Sequence, residues 1–236
     1  MRAWLWAAAL IVLATVIGMA CGGGGGGDGE AEPTPDRPTL EAMLRDISLK
    51  AEDLPAGFGA PEEVFSDNEE VAANDPEGPT KALERLQGWR RLLGHDATFM
   101  ATDLFGAFQS GGNALIRASV NIFADEQGAT DALQWGRDLL SDPADAATLI
   151  PGVSELEGGP ISFPTIGDET VASEFTGIFR AEDFQVSVPF TADIVAIRHG
   201  RGVANIAVAA IGGAKPGPEV EELIRILDER LGQTLE

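Results

Sequence analysis

The chain is short of several things, and each shortage removes a class of function. It has a single cysteine, Cys21, so no internal disulfide can form. Zinc sites built on several thiolates go with it. Two histidines, His95 and His199, leave little for a multi-histidine metal centre. Tyrosine is absent, which argues against an aromatic strip for polysaccharides. Bases are scarce: 16 against 38 acids give a formal charge of −22, and only Lys50, Lys81 and Lys215 are lysines. Such a surface repels phosphate backbones, so nucleic acid is not an expected partner. It also repels anionic headgroups, so the body is expected to stand off a membrane rather than lie on it.

Known catalytic patterns are missing too. There is no Gly-x-Ser-x-Gly elbow, no His-Glu-x-x-His, no Walker loop and no EF-hand loop. The six glycines at 22–27 follow no strand and open no helix, so they are not a phosphate cradle. No cofactor is expected.

What is present begins with a leader. Arg2 precedes an uncharged apolar run from Ala3 to Ala20, the marks of a secretory signal. Gly18-Met19-Ala20-Cys21 then resembles the lipobox of bacterial lipoproteins, with glycine where leucine is usual. That resemblance implies cleavage before Cys21, a lipid on its sulfur, acyl chains such as palmitate, and a location on the outer side of the cell membrane. The alternative is an uncleaved signal-anchor, since the apolar run is just long enough to span a bilayer. Both place the body outside the cytoplasm. The expected organisation is a signal peptide over 1–20, a lipidated Cys21 with a disordered Gly, acid and Pro linker over 21–38, and one domain over 39–236.

The domain reads as α+β, an antiparallel sheet packed by helices. Leu40, Met43, Leu44 and Ile47 recur at helical spacing from Thr39. Glu62 to Glu77, with seven acids, reads as a loop. Thr80–Leu93 reads as a helix. Ala97–Gln109 and Ala114–Ala124 read as a hairpin about Ser110–Asn113. Glu126–Leu140 reads as a helix, and Asp145–Pro164 as irregular. Val171–Arg180, Phe184–Arg198 and Val203–Ile211 read as strands. Pro189 marks an edge or a bulge in the second of them. Glu219–Leu231 is the closing helix, with acids at its N-terminus. The two halves, about 80–142 and 161–236, look like pseudo-repeated ββα units: Gly111 matches Gly200, and Ala132, Leu133 and Leu140 match Leu223, Ile224 and Leu231, with one short insertion.

The turn Asp53-Leu54-Pro55-Ala56-Gly57-Phe58 and the closing stretch Arg198–Leu231 resemble those of extracellular sensor domains of actinobacterial serine/threonine receptor kinases. That resemblance implies an extracytoplasmic sensor and brings no catalytic residue with it.

Candidate site residues are few. Arg198, His199 and Arg201 form a basic tip on an acidic protein and could catch an anion or an acidic partner. His95-Asp96 reads as a polar turn. The acids over 62–77 lack the spacing of a calcium loop, and Trp89 and Trp135 read as packing residues. No catalytic or metal-ligating set is assigned. The expectation is a non-catalytic binding or sensing domain, tethered through Cys21, for a protein or a small apolar ligand. The alternatives are a hydrolase using a carboxylate pair and a solute-binding component of a transporter.

Overall fold

The structure, a computed structural model, describes residues 35–75, 77–148, 153–181, 186–212, 214–217 and 219–235. The leader, Cys21 and the glycine run lie outside the described residues. Among the described residues, no helix is long and apolar enough to cross a membrane.

Asp36 starts the first helix by accepting the amide of Thr39, so α1 runs Arg37–Ile47 and Pro38 sits in its first turn, not in a linker. Leu40, Leu44 and Ile47 form its buried stripe. The acidic stretch expected to be a loop is ordered. It holds strand β1 (Glu62–Ser66) and helix α2 (Asn68–Ala72). Its acids are the reason: Asp67 and Glu70 make a capping box, each bonding the other's backbone amide at 2.9 Å.

Helix α3 spans Pro79–Gly88 and stops short of the expected Leu93. Arg90 turns the chain with a φ of 56°, and strand β2 (Arg91–Met100) begins at once. The expected strand over Ala97–Gln109 ends early, at Met100. Asp103 caps the amide of Gly106, and α4 (Leu104–Ser110) closes on left-handed Gly111. Strand β3 (Asn113–Phe123) and helix α5 (Glu126–Leu139) follow. The segment expected to be irregular contains α6 (Pro143–Ala147) and β4 (Val153–Pro160). Positive φ at Glu155, Gly158 and Gly159 and a register shift between Ser154 and Glu157 erase the alternation that would have marked this strand. The rest matches the sequence reading closely: β5 (Glu169–Ala181), β6 (Val186–His199), β7 (Gly202–Ile211) and α7 (Glu219–Leu235).

All strands join one antiparallel α+β sheet in the order β1-β2-β3-β7-β6-β5-β4. Helices cover both faces. Strand neighbours point to opposite faces, and the core divides accordingly. Ala204, Ile206 and Val208 face α1 and α7, while Val203 faces α3 and α5. The hairpins β2–β3 and β6–β7 meet along β3–β7, and the helices that follow them, α5 and α7, cover opposite faces. Pro189 lies beyond the last β6–β7 pair, Phe190 with Ile211, so it interrupts no ladder there.

Candidate functional site

On the α3–α5 side the sheet carries a polar floor. Register puts Ser66, Gly94 and Asn121 in one row across β1, β2 and β3, and Asp96, Ser119 and Asn205 in the next across β2, β3 and β7. Beside them Thr98 pairs with Arg117. These side chains alternate with Ile116, Ala118, Val120 and Ile122, which face the main core. Arg117, Ser119, Thr98 and Asn205 are buried in spite of their polarity.

Arg91 sits at the head of this floor. It is 7% exposed, and burial pushes its guanidinium down to about 10 although Asp96, Asp67 and Glu70 pull it back up. Its hydrogen bonds go to neutral oxygens: Nε to Asn121 Oδ1 at 2.7 Å, Nη1 to Asn68 Oδ1 at 3.1 Å, and Nη2 to Ser66 Oγ at 3.3 Å. Gly94 makes room for it, because a Cβ there would stand 2.1 Å from Nη2 and 2.5 Å from Asn121 Oδ1. Asp96, the nearest acid on the floor, is taken by Arg117 at 2.9 Å.

Above the floor lies a cavity of about 40 Å³. Its polar wall is Ser66, Arg91, Asp96, Ser119, Asn121 and Asn205; its apolar wall is Val71, Leu86, Trp89, Phe123, Ala132 and Val203. Trp89 and Trp135 pack behind it with ring centroids 6.3 Å apart, and the buried Arg85 guanidinium lies over Trp135. Sequence reasoning did not single out Arg91, Asn121 or Asn205. The alternation of Arg117, Ser119 and Asn121 within β3 was the available signal, since a polar face on a strand near the sheet centre has to be accounted for.

The basic tip named from sequence is close together in space but occupied. Arg198 Nη1 bonds Asp168 Oδ2 at 2.9 Å, and the Gly200 amide shares that oxygen at 2.8 Å. His199 Nδ1 meets Asp228 Oδ1 at 2.8 Å. Arg201 reaches the Phe123 carbonyl at 3.5 Å. Arg201 and His199 border an open groove of about 500 Å³ whose other walls include Asp125, Glu126 and Asp168, so the acids outnumber the bases there.

His95 and Asp96 are not a turn. They lie within β2 and point to opposite faces, His95 into the core at 1% exposure. His95 Nδ1 meets Ser48 Oγ at 2.5 Å, and Nε2 stands 3.4 Å from Glu63 Oε1 without an aligned hydrogen bond. This serine, histidine and acid do not form a nucleophilic device. Ser48 is 3% exposed and its hydroxyl is also held by the Leu44 carbonyl at 2.7 Å, which leaves no surface for a substrate. Glu174 and Asp193 are cross-strand partners and so place two carboxylates side by side. They project side by side from β5 and β6 rather than across a cleft, and Lys215 grips both oxygens of Glu174 at 2.8 and 2.9 Å. Among the described residues, no group of three or more His, Cys, Asp or Glu side chains is placed to hold a metal ion.

No family model matches the chain, and no curated protein matches it in sequence. Among solved structures, the extracellular domain of PknH from Mycobacterium tuberculosis shares its fold, with a TM-score of 0.51 over 86% of this chain and 99% of that one, at 8% identity.

Proposed function

We propose that this chain is a membrane-tethered extracytoplasmic lipoprotein whose domain binds or senses a small ligand and does no chemistry of its own. The observation that carries the reading is the two-sided cavity between the polar floor and α3 and α5, where buried Arg91 and Asn205 face an apolar wall. Ligand pockets have this makeup, an apolar wall with a few convergent polar groups. The fold shared with an extracellular domain and the leader ending at Cys21 support a place outside the cytoplasm.

The test has two arms. Mass spectrometry of membrane fractions, for the native chain and Cys21→Ser, is expected to find Cys21 as the acylated N-terminal residue only in the native chain. Recovery from cytosol with Met1 attached and a free thiol would reject the tether. A thermal-shift screen of small polar and amphipathic compounds, run on native protein and on Ala132→Leu, checks the cavity. Binders lost in the variant support the reading, and a screen without cavity-dependent binders defeats it.

A further inference from the structure

Resting on the binding reading above, we infer that the cavity takes a monocarboxylate with a short apolar tail, its head on Arg91, Asn121 and Asn205 and its tail between Trp89, Phe123 and Ala132.

Charge selects the head. Arg91, Asp96 and Arg117 are the charged groups of the floor, and Asp96 is committed to Arg117. The direct hydrogen bonds of Arg91 all go to neutral oxygens, and Asp96, Asp67 and Glu70 act on it only without direct contact, so the floor carries one positive charge in excess. A buried cation without a direct ion pair is unfavourable, and an anion in contact with it relieves that cost. Asp67 and Glu70, the next acids out, are engaged by Arg37 at 3.1 and 3.9 Å.

Hydrogen-bond capacity agrees. A guanidinium has five N–H groups, and three bonds from Arg91 to the protein are accounted for, so one hydrogen on each Nη remains. Asn205, 8% exposed, presents a second amide to the cavity. Asn121 Nδ2 makes only a long bond to Ser119 Oγ at 3.4 Å. Arg91, Asn121 and Asn205 all line the cavity. A carboxylate accepts through both oxygens and matches an arginine better than a single-atom acceptor does.

Size and total charge exclude larger anions. At about 10–15 Å³ per water-sized group, the 40 Å³ cavity holds a carboxylate and little more than the first carbons of its tail. A phosphate dianion would bring two charges to a single uncompensated cation inside a protein of charge −22. The apolar wall then gives the tail its place and penalises a second polar end.

The experiment uses the full chain in neutral detergent, with butyrate as probe and butyramide and inorganic phosphate as comparisons. Binding is read by calorimetry and by tryptophan fluorescence. Butyrate is expected to bind at least about tenfold more tightly than butyramide, the usual scale of a charged hydrogen bond. Arg91→Gln should remove that preference, and Ala132→Leu should weaken butyrate and butyramide together. Should Arg91→Gln fail to fold, Asn205→Leu takes its place, with loss of butyrate binding expected. Equal binding of butyrate and butyramide, or tighter binding of phosphate, overturns the carboxylate assignment while the binding reading survives. If no probe binds and Ala132→Leu melts above the native protein, the cavity is a packing gap, and both proposals fall.

Discussion

The Nδ1 of His95 lies 2.5 Å from the hydroxyl of Ser48, and this contact fastens the middle of β2 to the end of α1. The ring also packs against Phe65, its register partner on the edge strand β1, at a centroid distance of 4.3 Å and a tilt of 37°. Burial holds the imidazole below its ordinary value, more strongly than Glu63 and Asp96 pull it up. The sign follows. The unfolded chain takes up this proton near pH 6.5, whereas the folded chain resists it. The contribution to stability is whole above that pH and is lost as pH falls below it. Denaturant midpoints should therefore drop between pH 7.5 and 5.5, above the range where most carboxylates titrate. In His95→Gln the drop should shrink, and an unchanged slope would rule the residue out.

Gly128 tests a conflict between local preference and packing. In the first turn of α5, alanine would ordinarily favour the helix by about 1 kcal/mol. Here a Cβ would stand 1.9 Å from the Trp89 carbonyl oxygen and 2.9 Å from its carbon. That backbone is pinned, since Trp89 N bonds Arg85 O and Ala124 N bonds Arg90 O. Overpacking costs about 1–3 kcal/mol, so Gly128→Ala should be destabilising by roughly 1–2 kcal/mol. Chemical denaturation reads this directly, and a stabilised variant would mean that α5 is free to shift.

The same contest explains which elements were legible in the sequence. Val220, Leu223, Ile224, Leu227 and Leu231 carry an unbroken helical period, and β6 and β7 carry apolar residues at strand spacing, so the last hairpin could be read to within two residues and the helix to within four, its last turn running on to Leu235. Over 80–100 the signals overlap. Leu86, Trp89 and Leu93 continue a helical period that the structure abandons at Arg90, where a positive φ supplies the turn. His95 and Asp96 read as a polar turn because nothing local announces their partners Ser48 and Arg117. The cavity was hidden for the same reason. Arg91 meets Asn68, Ser66 and Asn121, each more than twenty residues away in the chain.

Arg85 supports the helical wall of the cavity and depends on its acids. It pairs with Asp75 and, at 2.7 Å, with Glu77, and the Arg85 and Asp75 side chains are 6% and 1% exposed. Removing one member of a buried pair strands the other, at a cost of about 3–5 kcal/mol. Glu77 remains in Asp75→Ala, which puts the expected loss near the lower end, about 3 kcal/mol. The double change Asp75→Ala with Arg85→Met should recover much of it. A thermodynamic cycle over the four proteins measures the coupling, and an additive cycle would show that the pair contributes nothing.

Asp193 is the site where a charge works against the fold. Its register partner on β5 is Glu174, so two acids stand opposite each other on adjacent strands. Lys215 bonds Glu174 and leaves Asp193 Oδ1 buried with no hydrogen-bond partner. Burial, with Glu174 adding to it, raises this carboxyl above its ordinary value, and Lys215 offsets that only in part. For an acid raised in the folded state, ionisation disfavours folding. Stability is therefore greatest below the unfolded value near 3.9 and declines as pH rises through the folded one. Asp193→Asn removes the charge and keeps the shape, so at pH 7 it should stabilise by a few tenths to about 1 kcal/mol, the scale of cross-strand charge pairs. The gain should vanish at pH 3, where the native carboxyl is protonated. Melting curves at the two pH values decide it: a gain of equal size at both would assign the effect to packing, and a loss at pH 7 would mean that the carboxylate has a partner worth keeping.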